Sequence, residues 1–118
     1  MKTIDELRSQ ETLPSILADE QGLITYVNQN FQDVFGWRFD EIVGKSLTII
    51  IPPNLHDAHH LGFSRFITTA KPTLLNQPLK LKAVRKDGKI FEAEHVILAE
   101  QYENKWIFGA TIRPLEEL

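Results

Sequence analysis

The chain has 118 residues, of which 42% are hydrophobic and 25% charged, with a formal net charge of −3. That length closes a single core but not a second, and the balance is that of a soluble globular domain rather than a disordered or fibrous chain. Near-neutral charge without a block of one sign gives no reason to expect nucleic acid or an anionic membrane as partner. The absence of cysteine excludes disulfides, thiolate metal sites and cysteine nucleophiles.

A cysteine-free chain suits a reducing cytoplasm, which is the expected location. The apolar run from Leu47 to Leu55 is broken by Pro52 and Pro53 and falls far short of a bilayer span. The N-terminus mixes acid and base and has no apolar signal core, so the chain is expected to be soluble and unprocessed.

In chain order, Thr3 and Glu6 have capping-box spacing, which predicts a short helix over residues 4 to 10 with Ile4 and Leu7 on one side. Such a helix is too short to stand alone and must dock. Leu13 to Ala18, the turn from Asp19 to Gly22, and Leu23 to Val27 read as strand, turn and strand. Asn28 then caps a helix with apolar Phe31, Val34 and Phe35, closed by Gly36. Asp40 to Val43 adds one helical turn, closed in the same way by Gly44.

After Pro52 and Pro53 comes the longest predicted helix, with Asn54 as cap and Ala70-Lys71-Pro72 as stop. Leu75 to Val84 and Ile90 to Ala99 alternate apolar and polar residues around Arg85-Lys86-Asp87-Gly88, a strong hairpin signal. A turn at Tyr102-Glu103-Asn104 leads into a last apolar strand, Trp106 to Ile112. Five strands with short helices between the second and third give an α+β fold class, the helices packing on one face of the sheet.

Several of these segments resemble a known family. Ile16-Leu17-Ala18-Asp19-Glu20-Gln21-Gly22-Leu23-Ile24-Thr25-Tyr26-Val27-Asn28-Gln29-Asn30-Phe31 is similar to the opening strand pair and first helix of PAS domains. Phe35-Gly36-Trp37 and Glu41-Ile42-Val43-Gly44-Lys45 resemble the next segment, and Arg85-Lys86-Asp87-Gly88-Lys89-Ile90-Phe91 the family's central hairpin. The likeness covers roughly residues 12 to 117, so residues 12–118 are expected to be the PAS domain and 1–11 a flanking helix. It implies a five-stranded antiparallel sheet in the order 2-1-5-4-3 with helices on one face around a pocket. It also implies an input module of a histidine kinase, a diguanylate cyclase or phosphodiesterase, or a transcription regulator.

One departure stands at the end of the chain, where Pro114 replaces the Asp with which the family commonly couples its sheet to an output helix. Proline cannot donate to a ladder, so the last strand is expected to end near it.

The histidines raise the question of a cofactor. At about 100° per residue on a helix, Leu55, His59, Phe63 and Phe66 share one stripe, so His59 is expected to point inward and His60 to sit on the rim. In the haem-binding branch of the family an iron-ligating histidine occupies the place of His59, with Phe63 where an aromatic or aliphatic residue follows; haem b ligated by His59 is what that branch implies. Leu79 stands where oxygen-sensing haem members usually carry an arginine, which disfavours sensing of that type. Along the facing strand Phe91, Ala93, His95 and Ile97 alternate with Glu92 and Glu94, which turns His95 toward the pocket. There it can be a second iron ligand, a donor to another ligand, or a core histidine satisfied by backbone or water. A flavin attached through cysteine is excluded; a noncovalent flavin or another small organic ligand is not.

An enzyme is not expected. Glu92 and Glu94 share the face opposite the apolar one and read as a solvated face. Asp57 and His59 lie about 160° apart on a helix and do not share a metal. No nucleophile elbow, phosphate-binding glycine loop or HExxH sequence is present. The competing reading is a ligand-free homodimerisation module, held together through Ile4 and Leu7 of the N-terminal helix or through an exposed sheet face carrying Trp106 or Phe108, with no nucleic acid or membrane among its partners.

Overall fold

The structure is a computed structural model and describes residues 3–58 and 77–116. His59, His60, Phe63, Phe66 and the predicted helix stop at Ala70-Lys71-Pro72 lie outside the described residues. The elements are α1 (Ile4–Arg8), β1 (Ser15–Asp19), β2 (Ile24–Val27), α2 (Gln29–Phe35), α3 (Phe39–Ile42), β3 (Pro78–Val84), β4 (Ile90–Tyr102) and β5 (Lys105–Pro114), with short 3-10 turns at Leu47–Ile50 and Pro53–Leu55. The strands form one antiparallel sheet in the order β2-β1-β5-β4-β3, as the resemblance implies.

Local chemistry accounts for most boundaries. Thr3 accepts from the amide of Glu6 and starts α1. Asn28 caps α2 through Phe31, and Gly36, at φ +78°, closes it in the left-handed region. Gly44 also has φ +92° but works differently from the expectation: its N–H donates to Ile24 O at 2.8 Å, tying the segment to β2, while α3 is closed by Val43 N–H to Phe39 O. Asn54 is no helix cap; it lies inside the Pro53–Leu55 turn, whose cap position is Pro52, and helical residues begin at His56.

The last hairpin is longer than the alternation predicts, whereas the described part of β3 begins at Pro78 and Leu75, where the alternation starts, lies outside the described residues. β4 runs on to Tyr102 and pairs with Lys105 across a two-residue turn in which Glu103 and Asn104 both have positive φ, at 52° and 65°. That turn matches the twist of the flanking strands, so the ladder extends to its edge. At the far end Pro114 pairs with Ala93 and closes β5, although Leu115 N–H still donates to Glu92 O.

The two faces of the sheet bury different clusters. Ile16, Ile24, Val27, Ala83, Phe91, Ala93 and Ile112 pack with Phe31, Phe35 and Ile42 of the helices on the inner face, where the rings of Phe31 and Phe35 stack at 4.1 Å. On the outer face Leu17 and Leu98, with Ile107 and Tyr26 against them, are covered by Ile4 and Leu7 of α1. The helices therefore do not all share one face.

This corrects the surfaces expected to carry a dimer. Ile4 and Leu7 are 4% and 0% exposed, committed to the chain's own sheet. Trp106 and Phe108 do share a face, their rings 6.5 Å apart, but register puts it on the side of Ala110 and Ile112, the inner side, where Phe108 is buried.

Candidate functional site

The inner face of β3, β4 and β5 carries the candidate site. Antiparallel pairing sets His95 of β4 directly between Leu79 of β3 and Ile112 of β5, and partners in a ladder point to the same side of the sheet. The residues two positions away on β4, Ala93 and Ile97, extend an apolar surround on that face. His95 thus faces inward as its alternation predicts, beside the predicted Leu79; His59 and Phe63, the other two predicted lining residues, lie outside the described residues.

The surroundings of His95 favour one state of its imidazole. Nδ1 of His95 lies 3.2 Å from Ala93 O. A carbonyl only accepts, so Nδ1 carries the proton and Nε2 presents its lone pair. Burial pushes the ring's pKa below its ordinary value, against a smaller opposing effect of the Ala93 carbonyl. A neutral ring whose Nε2 meets no partner among the described residues, on an apolar surface, can accept a hydrogen bond or ligate a metal, and Leu79 beside it contributes packing alone. His56 is different: its Nε2 is joined to Ile51 O at 2.7 Å, so this ring is satisfied by the backbone.

A second constellation joins the central hairpin to the end of α2. The amide of Lys86 donates to Phe35 O at 2.9 Å, its Nζ pairs with Glu41 Oε2 at 2.8 Å, and the same Nζ lies 5.1 Å from the centre of the Trp37 ring. The other carboxylate oxygen of Glu41 accepts from the amide of Arg38 at 2.9 Å. The Lys86 ammonium, with the Arg38 amide after it, holds the Glu41 carboxyl below the ordinary carboxylate range. Beside it Arg85 reaches Asp87 with Nη2 at 3.5 Å, while its buried Nε and the buried Nε1 of Trp37 have no hydrogen-bond partner among the described residues. An open groove of about 370 Å³ lined by Phe35, Gly36, Arg85, Lys86 and Asp87 lies here, away from His95.

A third feature had no sequence signal beyond its cap role. Asn28, nearly buried, uses its whole amide: Oδ1 accepts from the amides of Ser15 and Phe31, and Nδ2 donates to Gln10 O and Leu13 O, all at 2.8–3.0 Å. Ser15 Oγ in turn donates to Leu7 O at 2.9 Å. These bonds fasten the segment between α1 and β1 to the start of α2, so the outer-face helix and the inner-face helices share one polar joint. Among the described residues no group of three or more His, Cys, Asp or Glu side chains is placed to hold a metal, and no helix is long and apolar enough to cross a membrane.

The profile of the PAS fold matches residues 6–96. Sensor protein FixL of Bradyrhizobium diazoefficiens is 27% identical over 108 residues, a match covering 90% of this chain and 21% of that protein. The chain spans 21% or less of the length of the first curated relatives it matches. Among solved structures, the PAS domain of a protein from Colwellia psychrerythraea superposes with a TM-score of 0.71 at 19% identity, covering 94% of this chain and 97% of that one. A PAS domain from a two-component sensor histidine kinase gives 0.71 at 15% identity, covering 92% and 90%.

Proposed function

The chain belongs to the PAS family, and on that premise we propose that it is a cytoplasmic, non-catalytic input module. In this reading it takes a small ligand on the inner face beside His95 and Leu79 and passes the ligand's state to an effector such as a histidine kinase, a cyclase or phosphodiesterase, or a transcription regulator. Its likeness to a named sensor protein supports the signalling half. The observation that carries the ligand half is the His95 imidazole, biased to its neutral form by burial and, among the described residues, bonded only through Nδ1, between Leu79 and Ile112.

Haem b fits the described part of this surface, which offers an apolar bed and one neutral imidazole base. In this reading His59 would hold the iron and Phe63 would pack against the group, with His95 as the base on the sheet side. When bound, the group supplies an iron whose ligation can change. Leu79 has no hydrogen to give to a gas molecule held there. A noncovalent flavin is the second candidate for the same apolar surface.

Reconstitution with haem tests the reading. A Soret band is expected, shifted or lost in His59→Ala and altered in His95→Ala. No Soret band, or one indifferent to both substitutions, refutes haem ligation here, and binding of flavin by the same protein would then identify the alternative ligand.

The proposal includes a homodimer. With Ile4 and Leu7 committed to the sheet, α1 offers its exposed Asp5, Glu6 and Arg8 to a second copy. Charge reversal at Asp5, Glu6 and Arg8, which leaves Ile4 and Leu7 on the sheet, is expected to weaken self-association, and a monomer by light scattering at high concentration refutes the dimer.

A further inference from the structure

The two edges of the sheet are finished differently. The β2 edge is covered by the chain itself where it begins: Ile24 N–H donates to Lys45 O and Gly44 N–H to Ile24 O, both at 2.8 Å, Leu47 N–H donates to Gly22 O, and Leu23 forms a bridge with Ser46. At the β3 edge, the Arg85 N–H to Lys89 O bond fixes which residues of β3 face β4. Hydrogen-bonded and non-hydrogen-bonded pairs alternate from that point. Ala83, Leu81 and Leu79 therefore turn their backbone groups toward Phe91, Ala93 and His95, and Lys80, Lys82 and Val84 turn theirs outward. Among the described residues nothing pairs with the outward amides and carbonyls from Lys80 to Val84.

The side chains along this edge have a definite pattern. Lys80 and Lys82 stand on the outer face and are exposed; Lys80 Nζ meets Glu92 at 3.1 Å, in a pair whose side chains are 65% and 49% exposed, and Lys82 has no ion partner among the described residues. Between them Leu81 points to the inner face, opposite buried Ala93, yet remains 42% exposed. A second β3 laid antiparallel on the first would set lysine against lysine, the arrangement that keeps edges from self-pairing. An acidic strand meets no such repulsion.

We propose that the β3 edge is a docking site for an extended acidic segment of a partner protein, which joins the sheet as a sixth strand. The segment alternates Asp or Glu with apolar residues. Its backbone pairs with Lys80, Lys82 and Val84, its carboxylates lie beside the two lysines on the outer face, and its apolar residue covers Leu81 on the inner face. Backbone bonds supply the affinity and the alternating side chains the selectivity. Added next to β3, the segment lies one strand away from His95, which sits opposite Leu79 on β4.

The probe is a short blocked peptide alternating glutamate and valine, with one alternating lysine and valine as control. The acidic peptide is expected to bind more weakly as salt rises and to slow amide exchange at Lys80, Lys82 and Val84. Lys82→Glu is expected to weaken it about tenfold and to favour the basic peptide. Lys82→Pro removes an outward donor at an edge position where proline is tolerated, and is expected to abolish binding with the circular dichroism unchanged. Equal binding of both peptides, protection confined to other amides, or affinity untouched by Lys82→Glu would overturn the proposal. So would amides from Lys80 to Val84 that become protected without peptide as protein concentration rises, since a second copy would then occupy the edge.

Discussion

A β-carbon on Gly109 would stand 2.5 Å from Leu7 Cδ1, and 2.7 Å from Leu17 Cδ2. Gly109 lies on the outer face of β5, opposite Leu17 in the ladder, and its bare backbone is what lets α1 lie flat on the sheet. Gly109→Ala is therefore expected to lift α1 and cost about 1–3 kcal/mol, as overpacked sites do. Urea denaturation measures the loss. Removing the opposing methyls in Leu7→Ala should cost about 2–5 kcal/mol alone, yet the double variant should be less destabilised than the sum, because the new methyl fills part of the cavity. Strict additivity would show that the two residues do not press on one another.

Asn28 gives a second test, because its two roles separate chemically. Asn28→Asp keeps an oxygen for the amides of Ser15 and Phe31 but cannot donate to Gln10 O and Leu13 O. Capping survives while two carbonyls lose a donor and face a carboxylate. The expected loss is about 1–3 kcal/mol or more, against about 0.5–2 kcal/mol for a cap alone. Hydrogen exchange should show the loss first in α1 and the Gln10–Ser15 segment. If Asn28→Asp is as stable as the parent, Asn28 is a cap and nothing further.

Much of this fold was legible because its signals are local. The Asn28 cap, the Gly36 closure, the Asp87-Gly88 hairpin and the inward turn of His95 each follow from a few neighbouring residues. What failed depends on distant parts of the chain. Alternation shows that Trp106 and Phe108 share a face, but which face the helices cover is fixed only when α2 and α3 pack. Ile4 and Leu7 read as one apolar side of a helix whether that side meets a second copy or, as here, Leu17 and Leu98. A glycine inside a strand pattern, Gly109, was the available sign that another element approaches closely. The donors of Asn28 reach residues 15 and 18 positions away, beyond any local pattern.

The Lys86–Glu41 pair predicts a titration effect rather than a stability effect. Both side chains are partly open to water, and exposed pairs contribute little to folding. Lys86→Met is expected to leave the denaturation midpoint nearly unchanged while the Glu41 carboxyl titrates at higher pH, following loss of its strongest stabilising partner. Trp37 emission should shift in the same variant, since the ammonium leaves its ring. A Glu41 titration unmoved by Lys86→Met would assign the lowering to the Arg38 amide instead.

His95 is expected to contribute to the pH dependence of stability, and the sign of that contribution follows from its surroundings. Its neighbours on the inner face, Leu79 on β3, Ile112 on β5, and Ala93 and Ile97 on β4, bring no charge, while Glu94 and Arg113 pair with each other on the outer face at 3.1 Å. Burial lowers the folded pKa from an ordinary 6.5, the value regained on unfolding. Below 6.5 the unfolded chain binds a proton that the folded chain refuses. The contribution to stability is therefore complete above that pH, declines as pH falls, and levels off once the folded ring is protonated as well. Denaturation midpoints taken between about pH 5 and pH 7.5 should fall toward acid, and His95→Leu should flatten that segment of the curve. The ring's own titration, followed by its Cε1 proton resonance, should lie below that of a free histidine. A slope retained in full by His95→Leu would place the pH sensitivity elsewhere and leave the neutral state of this imidazole without support.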